Sequence, residues 1–274
     1  MARRLIRAGI PVIVAAPSRI PRPVAATSKT DRLDGRKLAE YAAMGMLRPI
    51  ALPTEEEEGF RALVRRRHRL TDSIRRAKQR VRGLLLQFGI PEPAGLDHWG
   101  KAAVEEVGQL SLPPGADETR NSLLRELFFL CQEREAIEEK LRRFCRSPEH
   151  ASRVKAMKTV PGVGEIVAAT FAAEVFRPGR FHRPEEVTSY LGLAPVVRQS
   201  GSGKARARIR PVGQRRLRSL LIEAAWMWKQ RDPGAEAFYR RILGRSGLPQ
   251  KAIVAVARKL AVLLWRLNIS PAVA

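Results

Sequence analysis

Apolar positions repeat along this chain at coiled-coil spacing in two long stretches. Phe60, Leu63, Arg67, Leu70, Ile74, Ala77, Val81, Leu84 and Phe88 alternate steps of three and four, predicting one long helix over 54–88. Leu123, Leu127, Leu130, Arg134, Ile137, Leu141 and Phe144 repeat the same heptad, predicting a second over 117–146. Residues 89–115 connect them, rich in Pro and Gly at both ends, with a short helix over 101–108. This pairing suggests an antiparallel hairpin arm or a dimerisation stalk. Each helix places one arginine in its apolar seam, Arg67 and Arg134, as candidates for setting register or oligomeric state.

The pattern differs on either side of the arm. Residues 2–8 read as a helix, and Val12 to Ala16 form a β-branched run expected of a strand buried on both faces. A basic, proline-bounded loop over 17–23 follows. A helix then opens at Thr30, with Asp31 and Asp34 in its first turns, and 47–52 read as a short further strand. Beyond Ser147, helices are expected over 183–191, 212–231, 235–243 and 249–267, with Trp226, Trp228 and Trp265 in the core. Val160-Pro-Gly-Val-Gly164 reads as a hairpin between two helices. The predicted fold class is mainly α. Its domains are an α/β segment at 1–52, a coiled-coil arm with its connector at 53–146, and a helical domain at 147–274.

Charge changes the picture most. The 274 residues carry a formal net charge of +24, with a pI near 11.4. Such an excess self-repels unless a polyanion neutralises it, so nucleic acid is the expected partner, and a ribosomal or nucleoid protein the competing class. Over 61–82 the first arm helix is basic through Arg61, Arg65, Arg66, Arg67, Arg69, Arg75, Arg76, Lys78, Arg80 and Arg82, against Asp72 alone, and is expected to offer phosphates one face. A membrane partner is not expected. The apolar run 252–267 contains Arg258, Lys259 and Arg266, and the signal-like start is interrupted by Gly9 and Pro11. Cys131 and Cys145 would lie roughly 21 Å apart along one helix, too far to bridge, and with no Cys/His metal cluster the chain reads as cytoplasmic.

Candidate chemistry centres on Gln199-Ser200-Gly201-Ser202-Gly203. Two serines among glycines permit exposed hydroxyls and close approach of a ligand. Arg198, Lys204, Arg206, Arg208, Arg210, Arg215, Arg216 and Arg218 surround them, and no Asp or Glu occurs between Glu186 and Glu223. A serine in a cationic setting suits attack on a phosphodiester. The same loop could bind nucleic-acid backbone without chemistry. Arg215, Arg216 and Arg218 open a helix against its dipole, which a bound anion would offset. Gly162 and Gly164 would let backbone N–H groups face a phosphate, as in the helix-hairpin-helix of non-sequence-specific DNA binders, or serve a plain tight turn. Asp31 and Asp34 share a helix face, which suits either Mg²⁺ for phosphoryl transfer or dipole complementation alone.

Thr159-Val-Pro-Gly-Val-Gly164, Tyr190-Leu-Gly-Leu-Ala-Pro195, Ser200-Gly201, Ile209, Gly213 and Leu217-Arg218-Ser-Leu-Leu-Ile-Glu223 resemble one transposase family. It comprises the insertion-sequence transposases with an N-terminal RuvC-like DEDD domain, including the Piv-type invertases. The segment Thr30-Asp31-Arg-Leu-Asp34-Gly-Arg-Lys-Leu resembles the last two acidic positions of the DEDD set. The resemblance implies a DNA transposase or recombinase that cuts and rejoins DNA through a serine nucleophile with Mg²⁺. It implies Ser200 as that nucleophile, with Ser202 in reserve, and Asp31 and Asp34 as metal ligands. DNA, a structured guide RNA and a homo-oligomer, dimer or tetramer, are the implied partners. The first Asp and the Glu of the set would fall before Met1. The chain is therefore expected to be N-terminally truncated, with sparse packing over 1–50 and an incomplete active site. The competing expectation is a non-catalytic basic protein that binds nucleic acid through the hairpin and basic helices.

Overall fold

A computed structural model describes residues 1–17, 20–21, 31–198, 206–209 and 213–270. It is mainly α-helical and divides into two compact units, Met1–Glu55 and Glu56–Ala274.

The first unit holds α1 (Ala2–Arg7) and α2 (Asp31–Ala43), neither of which buries a residue. The strands expected at 12–16 and 47–52 reduce to one antiparallel bridge, Ala15 with Pro49, and one hydrogen bond from Ile50 N–H to the Val14 carbonyl. Proline explains this shortfall. Pro49 and Pro11 have no N–H to donate, so a ladder between these segments cannot extend. Ile10 and Ile13 consequently remain about half exposed, at 49% and 54%.

The second unit begins with the arm. Helix α3 (Glu55–Gln87) packs antiparallel against α5 (Pro114–Cys145), with α4 (Lys101–Gln109) between them in sequence. The register follows from its cross-pairs. The Phe60 and Phe144 rings stack at 4.3 Å, Arg67 binds Glu138 at 2.8 Å, and Arg80 binds Glu126 at 2.9 Å. As the α3 position rises, its α5 partner falls. The buried stripe of α3 is Phe60, Val64, Leu70, Ile74, Ala77, Val81 and Leu85. It departs from the predicted seam at its ends, where Val64 and Leu85 are buried and Phe88 is exposed. An α-helix of 3.6 residues per turn drifts across a 3.5-residue repeat, and that drift moves the contact stripe by one position. Both seam arginines meet one acceptor. Arg67 Nε bonds Glu138 Oε1, and Arg134 Nε lies 3.8 Å from the same oxygen.

At its base the arm merges with the helical body. Phe60, Val64, Leu141 and Cys145 belong to the same apolar core as the residues of α6 to α11. These helices are α6 (Ala151–Lys158), α7 (Glu165–Glu174), α8 (Pro184–Tyr190), α9 (Arg215–Arg231), α10 (Pro233–Ser246) and α11 (Pro249–Ile269). Helix α11 is the hub. It touches α6, α8, α9 and α10, and buries Ala252, Ile253, Val256, Ala257, Leu260, Ala261, Leu264 and Trp265. Each buried leucine or valine contributes about 1.5–3 kcal/mol relative to exposure. Alanines at 252, 257 and 261 let neighbouring helices approach closely. Between α8 and α9, strands β1 (Pro195–Arg198) and β2 (Arg206–Ile209) pair antiparallel, from Pro195 opposite Ile209 to Arg198 opposite Arg206. Of the three tryptophans expected in the core, Trp228 and Trp265 are buried, whereas Trp226 is 37% exposed.

Candidate nucleic-acid interface

The β1–β2 hairpin brings the cationic segment to one place. Arg198 and Arg206 form its outermost pair, with Arg208 opposite Val196. The connection between them carries Ser200, Ser202 and Lys204, which lie outside the described residues, as does Arg210. What the structure defines is the hairpin's root. Gly213 has φ +80°, and a Cβ there would sit 2.6 Å from the Tyr190 carbonyl oxygen and 2.7 Å from the Gly192 nitrogen. Only glycine permits this approach, so the end of α8 and the start of α9 are clamped together. Gln214 Nε2 donates to Tyr190 Oη at 3.3 Å, and Arg218 Nη1 donates to the Gly192 carbonyl at 3.3 Å.

The three arginines at the start of α9 take different places. Arg215 is exposed, and no acidic residue lies in the first turn of α9. Arg216 is half-buried and close enough to His68 to disfavour its protonation, although burial is the larger cause of that histidine's lowered pKa. Arg218 reaches the hairpin root. Arg215 is thus presented to solvent, while Arg218 also holds structure.

Below the root sits an interaction the heptad pattern does not announce. Glu174 closes α7 with its side chain only 3% exposed. Arg65 grips it at two points, 2.7 and 2.8 Å, and Arg61 adds contacts at 3.3 Å. The Glu174 carbonyl accepts from Tyr190 Oη at 3.0 Å. Beside it the Arg180 guanidinium lies 4.2, 4.6 and 4.8 Å from the ring centroids of Phe176, Phe181 and Tyr190. One signal in the sequence was available: Glu174 follows an apolar run from Ile166 to Ala173, where a lone carboxylate demands a partner.

The arm's basic face is correspondingly reduced. Arg61 and Arg65 bind Glu174, Arg66 faces Glu133 at 4.0 Å, Arg67 binds Glu138, Arg75 binds Asp72, Arg80 binds Glu126 and Arg82 binds Glu92. Lys78 lies 5.1 Å over the Trp99 ring, and its burial lowers its pKa. Arg69 and Arg76, a heptad apart, are exposed and have no carboxylate partner among the described residues.

In the turn between α6 and α7, Gly162 has φ +84°, and a Cβ there would lie 2.7 Å from both the Ala224 carbonyl oxygen and the Met227 Cβ. Its glycine requirement is met by close packing on α9. Gly164, the N-cap of α7, is exposed and open on its Cβ side, but Glu165 occupies the first turn beside it. Asp31 and Asp34 stand exposed in the first turn of α2. Among the described residues no cluster of three His, Cys, Asp or Glu side chains could hold a metal. No helix among the described residues is long and apolar enough to cross a membrane.

Two family descriptions match the chain. Residues 3–90 match the DEDD-type transposase domain of the IS110 group, and residues 154–240 match "Transposase IS116/IS110/IS902 family". A putative transposase of Sinorhizobium fredii, y4qE, is 33% identical over 227 residues, covering 82% of this chain and 55% of the relative. The transposase for insertion sequence element IS1111A of Coxiella burnetii is 28% identical over 274 residues, covering 97% of this chain and 73% of that protein. The pilin gene-inverting protein of Moraxella bovis is 30% identical over 116 residues, covering 42% of this chain and 36% of its own length. The chain thus spans about half of the first of these transposases and about three-quarters of the second.

Proposed function

This chain belongs to the IS116/IS110/IS902 family of transposases, and on that premise we propose that it cuts and rejoins DNA at the ends of an insertion sequence. The observation that carries the reading is the clamped hairpin. The clamp between Tyr190, Gly192 and Gly213 fixes both ends of the segment that contains Ser200, within the stretch matched to the family. Ser200 Oγ attacks a phosphorus and loses its proton as the Oγ–P bond forms, while the displaced sugar oxygen takes up a proton. Arg198, Lys204, Arg206, Arg208 and Arg210 come from the hairpin and its flanks, and Arg215 from the start of α9. All are assigned to the phosphate charge. Ser202 is the alternative nucleophile.

A DEDD-type domain implies a divalent metal, taken here as Mg²⁺, which supplies Lewis-acid stabilisation of phosphate oxygens when bound. Asp31 and Asp34 would contribute two oxygen ligands. Gly164 is assigned to backbone contact with DNA and Gly162 to holding that turn in place. A structured guide RNA and a dimer or tetramer complete the reading, and the exposed Phe128 and Phe129 on α5 suit contact between copies. Cytoplasmic location follows from the nucleic-acid partner.

The test is a denaturing trap after incubation with the element's own ends. A protein–DNA adduct is expected, lost in Ser200→Ala and kept in Ser202→Ala. An adduct indifferent to Ser200 defeats the nucleophile assignment. A second reading, a non-catalytic nucleic-acid binder using the hairpin and basic helices, predicts tight DNA binding and no adduct in any variant.

A further inference from the structure

Helix α11 contains no Asp or Glu between Pro249 and Ile269, yet it carries Lys251, Arg258, Lys259 and Arg266. Three of these cations, Arg258, Lys259 and Arg266, line a cleft of about 570 Å³ between α8, α9 and α11. Trp228, Ala255, Val262 and Leu263 give the cleft an apolar part, taken here as its floor, and Glu185 of α8 also lines it. Like Arg69 and Arg76 on the arm, Arg258 and Arg266 have no carboxylate partner among the described residues. Arg258 and Arg266 are two helical turns apart, about 12 Å at 1.5 Å per residue. Cations at that spacing along one cleft can meet successive phosphates of a polyanion.

We propose that this cleft binds a single-stranded segment of nucleic acid, with backbone phosphates on Arg258, Lys259 and Arg266 and an unpaired base against the apolar floor. A recessed apolar floor flanked by cations is the arrangement that suits an unpaired strand. In a duplex the bases are stacked inward and cannot reach such a floor, so duplex DNA would use the cations alone. Glu185 can accept from a base amino group, a contact a bare phosphate chain would not use. The position in the fold is also apt. Pro184, Glu185 and Thr188 of α8 line the cleft, while Tyr190, at the other end of the same helix, anchors the hairpin root. A strand held here would lie one short helix from the hairpin root. The inference rests on the nucleic-acid reading above, but not on Ser200 chemistry.

The test is fluorescence anisotropy of the full chain with a labelled 15-nucleotide single strand and with its duplex. Arg258→Ala/Lys259→Ala/Arg266→Ala removes the cations, and Ala255→Trp fills the floor without changing charge. Lys140→Ala/Arg143→Ala/Arg146→Ala, on the arm, controls for lost charge. Single-strand affinity is expected to fall about tenfold in both cleft variants and at most about twofold in the control, with duplex affinity least affected by Ala255→Trp. Should Ala255→Trp fail to fold by circular dichroism, Val262→Gln roughens the same floor. Three results overturn the proposal: unchanged single-strand affinity in the folded floor variant; equal loss for single strand and duplex in that floor variant; or displacement by polyglutamate as effective as by oligonucleotide, which would make the cleft a site for acidic protein. An adduct that survives Ser200→Ala, with cleft binding intact, would defeat only the nucleophile assignment.

Discussion

Arg65 and Glu174, 109 residues apart, form a two-point ion pair at 2.7 and 2.8 Å that ties the arm helix to the end of α7. Glu174 also receives Arg61, and its backbone carbonyl holds Tyr190. Hydrogen bonding to Glu174 raises the Arg65 pKa, so the guanidinium stays charged. Removing the carboxylate strands two guanidinium groups, one largely buried. We expect Glu174→Gln to cost about 3–5 kcal/mol, measured by urea denaturation, with Arg65→Ala costing less because Arg61 remains. Equal stability of Glu174→Gln and the parent would show that the pair carries no structural weight.

Gly162 and Gly164 should part company. Alanine at 162 would place Cβ against α9 backbone at positive φ, so Gly162→Ala should lower the melting temperature by several degrees. Gly164→Ala meets open space and should leave stability nearly unchanged, testing only whether DNA approaches that turn. A weakened complex with Gly164→Ala at unchanged melting temperature supports the assigned DNA contact.

His150 stacks against both Phe60 and Phe144, at 5.2 and 5.0 Å, and burial pushes its pKa below the ordinary value. The unfolded chain then binds this proton more readily than the folded one. The stabilising contribution is present above the unfolded pKa of about 6.5 and is lost as pH falls from there toward the lower folded value. Urea midpoints at pH 7.5 and 5.5 should differ less in His150→Phe than in the parent. His68, also lowered by burial, leaves a residual slope.

The two thiols should react unequally. Cys145 is buried and its pKa is pushed up to about 11 by desolvation, whereas Cys131 is only half-buried. Iodoacetamide at pH 8 should modify Cys131 first, with Cys145 reacting on denaturation, as mass mapping would reveal. Early labelling of Cys145 would mean that the arm's base opens readily.

Salt dependence separates free cations from committed ones. Arg69→Ala/Arg76→Ala should reduce the slope of log affinity against log salt by about two and leave stability unchanged, if these exposed residues meet phosphates. Arg67→Ala should act the other way, lowering stability through Glu138 with little change in slope. A slope unaffected by Arg69 and Arg76 would place DNA on another face.

The local pattern of the sequence determined the helices. Predicted spans over 54–88 and 117–146 emerged as Glu55–Gln87 and Pro114–Cys145, because heptad periodicity and proline boundaries are properties of neighbouring residues. The family resemblance was also legible, in the clustered motifs between Thr159 and Glu223. Tertiary structure decided which charges are available. Arg61, Arg65 and Arg80 looked like a phosphate-binding face because their partners, Glu174 and Glu126, lie far along the chain. It also decided why Gly162 and Gly213 must be glycine, since the backbones they touch belong to other segments. The same holds for the cleft on α11, whose cations read in sequence as evidence only against a membrane span. Periodicity is set by contacts within a turn or two of helix. The partner of a charge, the neighbour of a glycine and the floor of a cleft are set by long-range packing, which no local spacing encodes.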